Sequence, residues 1–312
     1  MTIDHDTFAG VYPAMTTPFA GDDRSRIDHD QLAADARRLE AAGVDGLVPV
    51  GSTGESATLT HDEHAAVVET VVGAVDVPVV AGAGSNSTRE ALDLSERAAE
   101  AGADALLHIS PYYNKPEPAG QAEHYRTLAD AVDLPQVVYN VPSRTGSNLD
   151  LDTVVDLATH PNVQGYKAAS GDAGRISELI ERTREETFDV LSGDDGMTLP
   201  MLSVGATGAI SVVANVEPER TGELVRAALA DEFDRARRLH HELGPLTRAL
   251  FAETNPIPVK EAMELRGYGP AAVRPPLTRA SEATRERLRD LLAELDRERD
   301  DAARADAPGG GA

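Results

Sequence analysis

Lys167 is one of only three lysines among the 29 cationic residues of this 312-residue chain. It closes a short strand-like run, Val163-Gln164-Gly165-Tyr166, and is followed by Ala168-Ala169-Ser170-Gly171. An ammonium ion at the end of a buried strand loses hydration and becomes easier to deprotonate. A lysine neutral near pH 7 can attack a carbonyl and form a Schiff base. The plainer reading of the same stretch is a lysine salt-bridged at a strand end, so the surrounding chain has to decide between the two.

Three other segments carry residue types that would complete such a site. Gly51-Ser52-Thr53-Gly54-Glu55-Ser56 has glycines that expose backbone N–H groups and hydroxyls that suit a small carboxylate or phosphate. Pro111-Tyr112-Tyr113-Asn114-Lys115-Pro116 and Tyr139-Asn140-Val141-Pro142-Ser143-Arg144-Thr145-Gly146 add phenols for proton transfer and a guanidinium whose planar fork matches a carboxylate. Each segment alone reads as well as a turn, an amphipathic plug or a solvated cation. Together they supply an amine nucleophile, an anion cradle, proton carriers and an anion clamp.

The elements that must position these groups follow from repeats and periodicity. Ala42-Gly43-Val44-Asp45-Gly46-Leu47-Val48 recurs as Ala101-Gly102-Ala103-Asp104-Ala105-Leu106-Leu107, and Val75-Asp76-Val77-Pro78-Val79 recurs as Val132-Asp133-Leu134-Pro135-Gln136-Val137. The repeats interleave, so strands arrive about every 30 residues, the length of a strand plus its crossover helix. Strands are expected over Val11–Met15, Gly46–Val50, Val77–Ala81, Ala105–Ile109, Gln136–Asn140, Val163–Tyr166, Val190–Ser192 and Gly208–Val212. Amphipathic helices are expected between them, over Asp28–Ala42, His61–Val75, Thr88–Ala101 and Leu151–Thr159. Four more helices, Pro218–Ala230, Glu232–Phe251, Pro258–Arg266 and Ser281–Arg299, follow the last strand.

This pattern predicts an α/β chain folded as a (β/α)8 TIM barrel over residues 1–230, a C-terminal helical extension over 231–300 and a disordered tail over 301–312. An open doubly wound sheet is the competing architecture, but no Gly-x-Gly-x-x-Gly follows the first strand. In a barrel of this kind the chemistry sits where strands run into loops, which is where all four segments fall.

Composition narrows the function. The formal charge of −24 opposes binding to nucleic acid or an anionic membrane. Arginine-for-lysine usage and abundant acidic residues resemble proteins of salt-loving organisms, in which molar salt shortens the Debye length to about 3 Å. The absence of cysteine removes thiolate catalysis and cysteine metal sites. Nine scattered histidines without a His-Glu-x-x-His give no expected metal site. No apolar run is long enough to span a membrane, and the acidic start Met1-Thr2-Ile3-Asp4-His5-Asp6 is unlike a signal peptide, so a cytoplasmic protein is expected.

The segments Gly51-Ser52-Thr53-Gly54-Glu55, Tyr112-Tyr113-Asn114-Lys115-Pro116, Pro142-Ser143-Arg144-Thr145-Gly146, Leu191-Ser192-Gly193-Asp194-Asp195 and Asn255-Pro256-Ile257-Pro258-Val259-Lys260 together resemble the 4-hydroxy-tetrahydrodipicolinate synthase family. The resemblance runs from about Gly10 to Thr278 and places the chain among the class I pyruvate-dependent lyases. It implies that Lys167 forms an imine with pyruvate and that Tyr139, Thr53 and Tyr113 relay protons, Tyr113 reaching into a neighbouring subunit. Ser52 and Thr53 are then expected to hold the pyruvate carboxylate, Arg144 the carboxylate of L-aspartate 4-semialdehyde. Gly193 and Asp194 would line the aldehyde's approach and Ile210 the pyruvate methyl. No cofactor is implied beyond the covalent pyruvate imine. A homotetramer built as a dimer of dimers is implied, as is an L-lysine effector site at Ser56, Ala57, His61, His64, Asn86, Glu90 and Tyr112.

Two positions depart from the family pattern: Ser52 stands where a second threonine is common, and Ala168 where an acidic residue is common. Serine there is typical of the N-acetylneuraminate lyase branch. That lyase and the 2-keto-3-deoxygluconate-type aldolases therefore stand as the alternative. A barrel that only senses an amino acid is disfavoured by the presence of lysine, tyrosines and arginine together.

Overall fold

The computed structural model describes residues 7–21 and 24–306. The acidic start at residues 1–6 and the last part of the expected tail, 307–312, lie outside the described residues.

Seven strands form one parallel sheet: β1 (Gly10–Pro13), β4 (Val80–Gly82), β5 (Ala105–Ile109), β6 (Gln136–Asn140), β7 (Val163–Ala168), β8 (Asp189–Ser192) and β9 (Gly208–Ser211). The strand order is β1-β9-β8-β7-β6-β5-β4. A short antiparallel pair, β2 (Phe19–Ala20) and β3 (Arg26–Ile27), stands apart and was not signalled by the sequence.

The expected strand Gly46–Val50 is reduced to two bridges. Val48 pairs with Ala14 beyond β1, and Leu47 pairs with Val79 ahead of β4, so this segment joins the two edges of the sheet. Regular pairing stops there because Pro49 has no N–H to donate and Val50 turns left-handed at φ 51°. The sheet is consequently curled, with one face turned in on itself. Phe8, Tyr12, Val48, Val80, Leu107, Val137, Tyr139, Leu191 and Ile210 meet on that inner face. The alternate residues, among them Val11, Leu106, Val138, Tyr166 and Ala168, face the helices.

The interleaved repeat has a structural counterpart. Gly43 and Gly102 each follow the last turn of a helix, His29–Ala41 and Thr88–Glu100, at φ 79° and 91°, where a side chain would be strained. Two residues on, Asp45 accepts from the Val11 N–H at 2.8 Å and Asp104 from the Val79 N–H at 2.9 Å. Each repeat thus ends a helix and fixes a neighbouring strand with the same carboxylate.

Beyond β9 come the helices Pro218–Leu229, Phe233–Leu250, Ile257–Leu265 and Glu282–Asp306. The last continues past residue 300, where the sequence suggested that order would end. No helix among the described residues is long and apolar enough to cross a membrane.

The C-terminal helices reach back to the loop after residue 50. Buried Lys260 donates to Glu55, to the Thr17 carbonyl at 2.7 Å and to the Ala272 carbonyl at 2.7 Å, which uses all three ammonium protons. The Arg274 N–H occupies the other Glu55 oxygen at 2.9 Å, while the Arg274 side chain bonds Glu63. Glu55 itself is left-handed at φ 55°, so this pair holds a strained backbone in place. Burial lowers the Lys260 pKa to about 8, against the opposing pull of Glu55. Removing one partner of a buried pair strands the other charge. Lys260→Met is expected to destabilise the fold by about 3–5 kcal/mol, with much of the loss recovered on adding Glu55→Gln, as read from heat or urea melts in molar KCl. Equal stability of Lys260→Met and the parent would contradict it.

Candidate active site

The strand parity decides what Lys167 faces. Tyr166 points into the helical layer and is fully buried there, so Lys167, the next residue, projects to the inner face. The register pairs Tyr139 of β6 with Lys167 of β7. The Lys167 Nζ lies over the Tyr139 ring, 4.2 Å from its centroid. With only 6% of its surface exposed, the lysine is nearly sealed.

That sealing controls its charge. Burial lowers the Lys167 pKa to about 7; the buried Asp195 carboxylate pulls it up and Arg144 pushes it further down. Asp195 is fixed by Ser211 Oγ and by the Val212 and Val213 N–H groups at 2.9 and 3.3 Å. Burial raises the pKa of Tyr139 to about 12, so its phenol is neutral at working pH and can both give and take a proton.

Gly193, at the end of β8, explains its own identity. A Cβ there would come within 2.8 Å of Lys167 Cγ and 2.9 Å of Cε, so a larger residue would displace the lysine stem. The Gly193 N–H bonds the Ala168 carbonyl at 2.7 Å, tying the ends of β7 and β8 together. Ile210 lies on the inner face with Tyr139. Asp194 caps the short turn that follows through the Gly196 N–H at 2.9 Å.

The Ser52–Thr53 loop follows the bridged segment 47–48 that joins the two edges of the sheet. Thr53 is buried and Ser52 half-buried. The Asn255 amide donates to Thr53 Oγ1 at 2.9 Å, and Arg144 Nη2 donates to the Asn255 main-chain carbonyl at 3.0 Å. Arg144 sits in the one-turn helix Pro142–Thr145, closed by Gly146 at φ 71°. Lys167, Tyr139, Thr53, Arg144, Gly193 and Ile210 are therefore gathered about one end of the sheet. Asn255 and Asp195 carry no sequence signal of their surroundings, because nothing in a lone Asn-Pro or Asp-Asp pair shows where its side chain goes.

Tyr113 is different. It is 87% exposed, its backbone is left-handed at φ 67°, and its hydroxyl has no hydrogen bond among the described residues. Its neighbour Tyr112 is also exposed.

The expected effector residues divide in two. Ser56 and Ala57 form the short turn after Glu55. His61 bonds Asp93 at 2.9 Å and Glu90 at 3.2 Å, and Glu90 also accepts from Ser85. The Asn86 carbonyl accepts from Asn114 at 3.0 Å, two residues beyond Tyr112. His64 instead is buried against the sheet and bonds the Gly82 carbonyl at 2.7 Å, and burial lowers its pKa. The spacing of His61 and His64 put both on one helix, but they serve separate surroundings.

Comparison with known proteins identifies the family. The sequence model of the Dihydrodipicolinate synthetase family matches residues 7–295. The chain belongs to that family. A relative named 4-hydroxy-tetrahydrodipicolinate synthase, from Haloarcula marismortui, is 69% identical over 93% of this chain and 95% of its own length. Among solved structures of the dihydrodipicolinate synthase family, that of Acinetobacter baumannii, complexed with pyruvate, superposes with a TM-score of 0.90 at 39% identity, covering 93% of this chain and 99% of the other. That of Cyanidioschyzon merolae, with lysine bound, gives a TM-score of 0.87 at 36% identity, covering 93% and 98%.

A pKa of about 7 leaves roughly half of Lys167 neutral at pH 7, whereas an unperturbed lysine would be neutral in well under one molecule in a thousand. Reductive methylation of Lys167 by formaldehyde and borohydride is therefore expected to rise with pH through a midpoint near 7. Asp195→Asn removes the anion that favours the ammonium and moves the midpoint down. Arg144→Ala removes a competing cation and moves it up. Mass spectrometry of the modified peptide reads all three, and a midpoint near that of ordinary lysine would contradict the assignment.

Proposed function

We propose that the chain is a 4-hydroxy-tetrahydrodipicolinate synthase that condenses pyruvate with L-aspartate 4-semialdehyde through a Schiff base on Lys167, opening the route to diaminopimelate and lysine. The observation that carries this reading is a buried lysine whose Nζ lies 4.2 Å from the Tyr139 ring centroid, at the end of the sheet where Arg144 is held by the Asn255 carbonyl.

In this reading the Lys167 amine attacks the pyruvate ketone, and the carbinolamine loses water to give the imine. Loss of a methyl proton yields an enamine, whose carbon attacks the aldehyde; the semialdehyde's amino group then adds to the re-formed iminium carbon and expels the Lys167 amine, closing the ring and freeing the enzyme. Tyr139 and Thr53 carry the protons in and out. Ser52, Thr53 and the adjoining N–H groups hold the pyruvate carboxylate, and Ile210 packs against its methyl group. Arg144 takes the carboxylate of the semialdehyde. Gly193 and Asp194 line the approach of the aldehyde. The electron sink is the iminium itself, so no resident cofactor or metal is called for.

We read the curled sheet, with segment 47–48 supplying the remaining strand position, as a closed (β/α)8 barrel over residues 1–230 that carries a helical extension over 231–300. The exposure of Tyr113 supports a role in a neighbouring subunit's relay, within a tetramer built as a dimer of dimers. Net charge of −24 supports a salt-rich cytoplasm as its setting.

Ser52 favours one second reading, a sugar-acid aldolase using the same imine. Initial rates in molar KCl with L-aspartate 4-semialdehyde, N-acetylmannosamine and glyceraldehyde separate the two. The semialdehyde is expected to be strongly preferred, and Arg144→Ala to lower its kcat/KM by about 100-fold, the cost of a lost charge-assisted clamp. Preference for a sugar aldehyde would move the chain to the aldolase branch.

Feedback by L-lysine is a further part of the proposal. Ser56, Ala57, His61, Asn86, Glu90 and Tyr112 would surround the effector, with His64 held behind them; Glu90, whose hydrogen bond from Ser85 lowers its pKa, would meet the ammonium groups. Millimolar L-lysine is expected to inhibit the parent and to have little effect on Glu90→Ala. A flat response of the parent removes the regulatory role and leaves the catalytic one intact.

A further inference from the structure

Arg144 stands on a weak platform. It is exposed, and the helix that carries it, Pro142–Thr145, is a single turn of four residues, too short to hold its shape alone. Apart from the bond of its guanidinium to the Asn255 carbonyl, its place is set by the loop that leaves β6 and returns at Leu149.

That loop is closed by a side chain of the strand it leaves. Tyr139 faces the inner side of the sheet, so Asn140, the next residue, turns outward and is fully buried there. Asn140 Oδ1 accepts from the Leu149 N–H at 3.2 Å, and Asn140 Nδ2 donates to Asn148 Oδ1 at 2.7 Å. A main-chain N–H can only donate, so Asn140 has to present oxygen to Leu149 and nitrogen to Asn148, and Asn148 has to answer with its own oxygen. The Leu149 carbonyl accepts in turn from Arg175 of the helix Ala173–Thr183. Residues 141–148 are therefore a loop whose two ends are pinned together, with Arg144 inside it.

The placement of the pair favours a role in geometry over one in stability. Asn148 is exposed, where one hydrogen bond adds little to folding. A small misplacement of a group that orients a substrate costs far more in rate. The clasp also starts one residue after Tyr139, so it ties the anion clamp to the strand that carries the proton-transfer phenol. We infer that Asn140 and Asn148 are positioning residues for the second substrate, a clasp that holds the Arg144 turn in register with Tyr139. The inference rests on the roles proposed above for Lys167 and Arg144.

The test compares Asn148→Ala, Asn148→Asp, Arg144→Ala and the double variant Asn148→Ala/Arg144→Ala in molar KCl, with kcat/KM measured separately for pyruvate and for the semialdehyde. Asn148→Ala is expected to lower kcat/KM for the semialdehyde by about tenfold, while kcat/KM for pyruvate and the yield of the borohydride-trapped Lys167 adduct stay within about twofold of the parent. A merely structural role would depress both substrates together. Asn148→Asp keeps the acceptor oxygen and should return the semialdehyde value to within about threefold of the parent. In the Arg144→Ala background, Asn148→Ala should change that value by less than about twofold. Equal losses on both substrates, no rescue by aspartate, or an undiminished penalty without Arg144 each overturn the inference. Should Asn148→Ala fail to fold, Asn148→Ser, too short to reach Asn140, carries the same expectations. A parent that gives no adduct removes the Lys167 reading, and an Arg144→Ala variant that keeps the parent's semialdehyde kcat/KM removes the Arg144 reading; either takes this inference with it. With both readings intact, an undisturbed Asn148→Ala removes this inference alone.

Discussion

Everything near the site depends on keeping an ammonium ion out of water. A buried lysine on the inner face of a curled sheet, over the Tyr139 ring and paired in register with Leu191, cannot be well hydrated, and that loss lowers its pKa to about 7. The apolar inner face that closes the fold is thus also what makes the amine nucleophilic. Two nearby charges then trim the effect in opposite directions: Asp195, locked by three donors, and Arg144, tethered to Asn255. Neither charge needs to touch the lysine, because in a poorly hydrated interior Coulomb interactions reach across several ångströms.

The second constraint is backbone strain held in one place. Val50 and Glu55, at either end of the Gly51–Gly54 loop, are both left-handed without being glycine. Such residues persist only when the surroundings over-determine them. At Glu55 the surroundings are the Lys260 ammonium and the Arg274 N–H, both from beyond the last strand. At Val50 the close approach of Gly82 matters: a Cβ on that glycine would lie 2.5 Å from the Val50 carbonyl oxygen. The C-terminal helices are therefore part of the site's framework, although none of their side chains belongs to the strands that carry the chemistry.

Much of this was legible in the sequence, and what was not has physical reasons. Strands and helices near Ala105, Gln136 and Thr88 were legible because apolar periodicity and helix-ending glycines act locally. The segment Gly46–Val50 was apolar enough to read as a strand, but a proline and one left-handed valine cut its pairing to two bridges. The strand pair at Phe19 and Arg26 is not legible in the sequence because two-residue strands have no period. Lys167, Tyr139 and Arg144 could be proposed because their chemistry shows in their residue types. The surroundings of Asn255 and Asp195 were not legible, since each bonds a partner distant in sequence, Asn255 to Thr53 and Asp195 to Ser211.

The scarcity of lysine has a consequence for selectivity toward electrophiles. An aldehyde condenses with any neutral amine it meets, and a lysine-rich surface would offer many. Here the side-chain amines number three: Lys115 is exposed to solvent, Lys260 is buried but saturated with acceptors, and Lys167 is buried without a hydrogen-bond acceptor among the described residues. A protein built this way handles a reactive carbonyl compound with almost no amine of its own to be damaged. The same preference for arginine over lysine that suits concentrated salt therefore also leaves few side-chain amines, Lys115 the exposed one, open to adventitious imine formation.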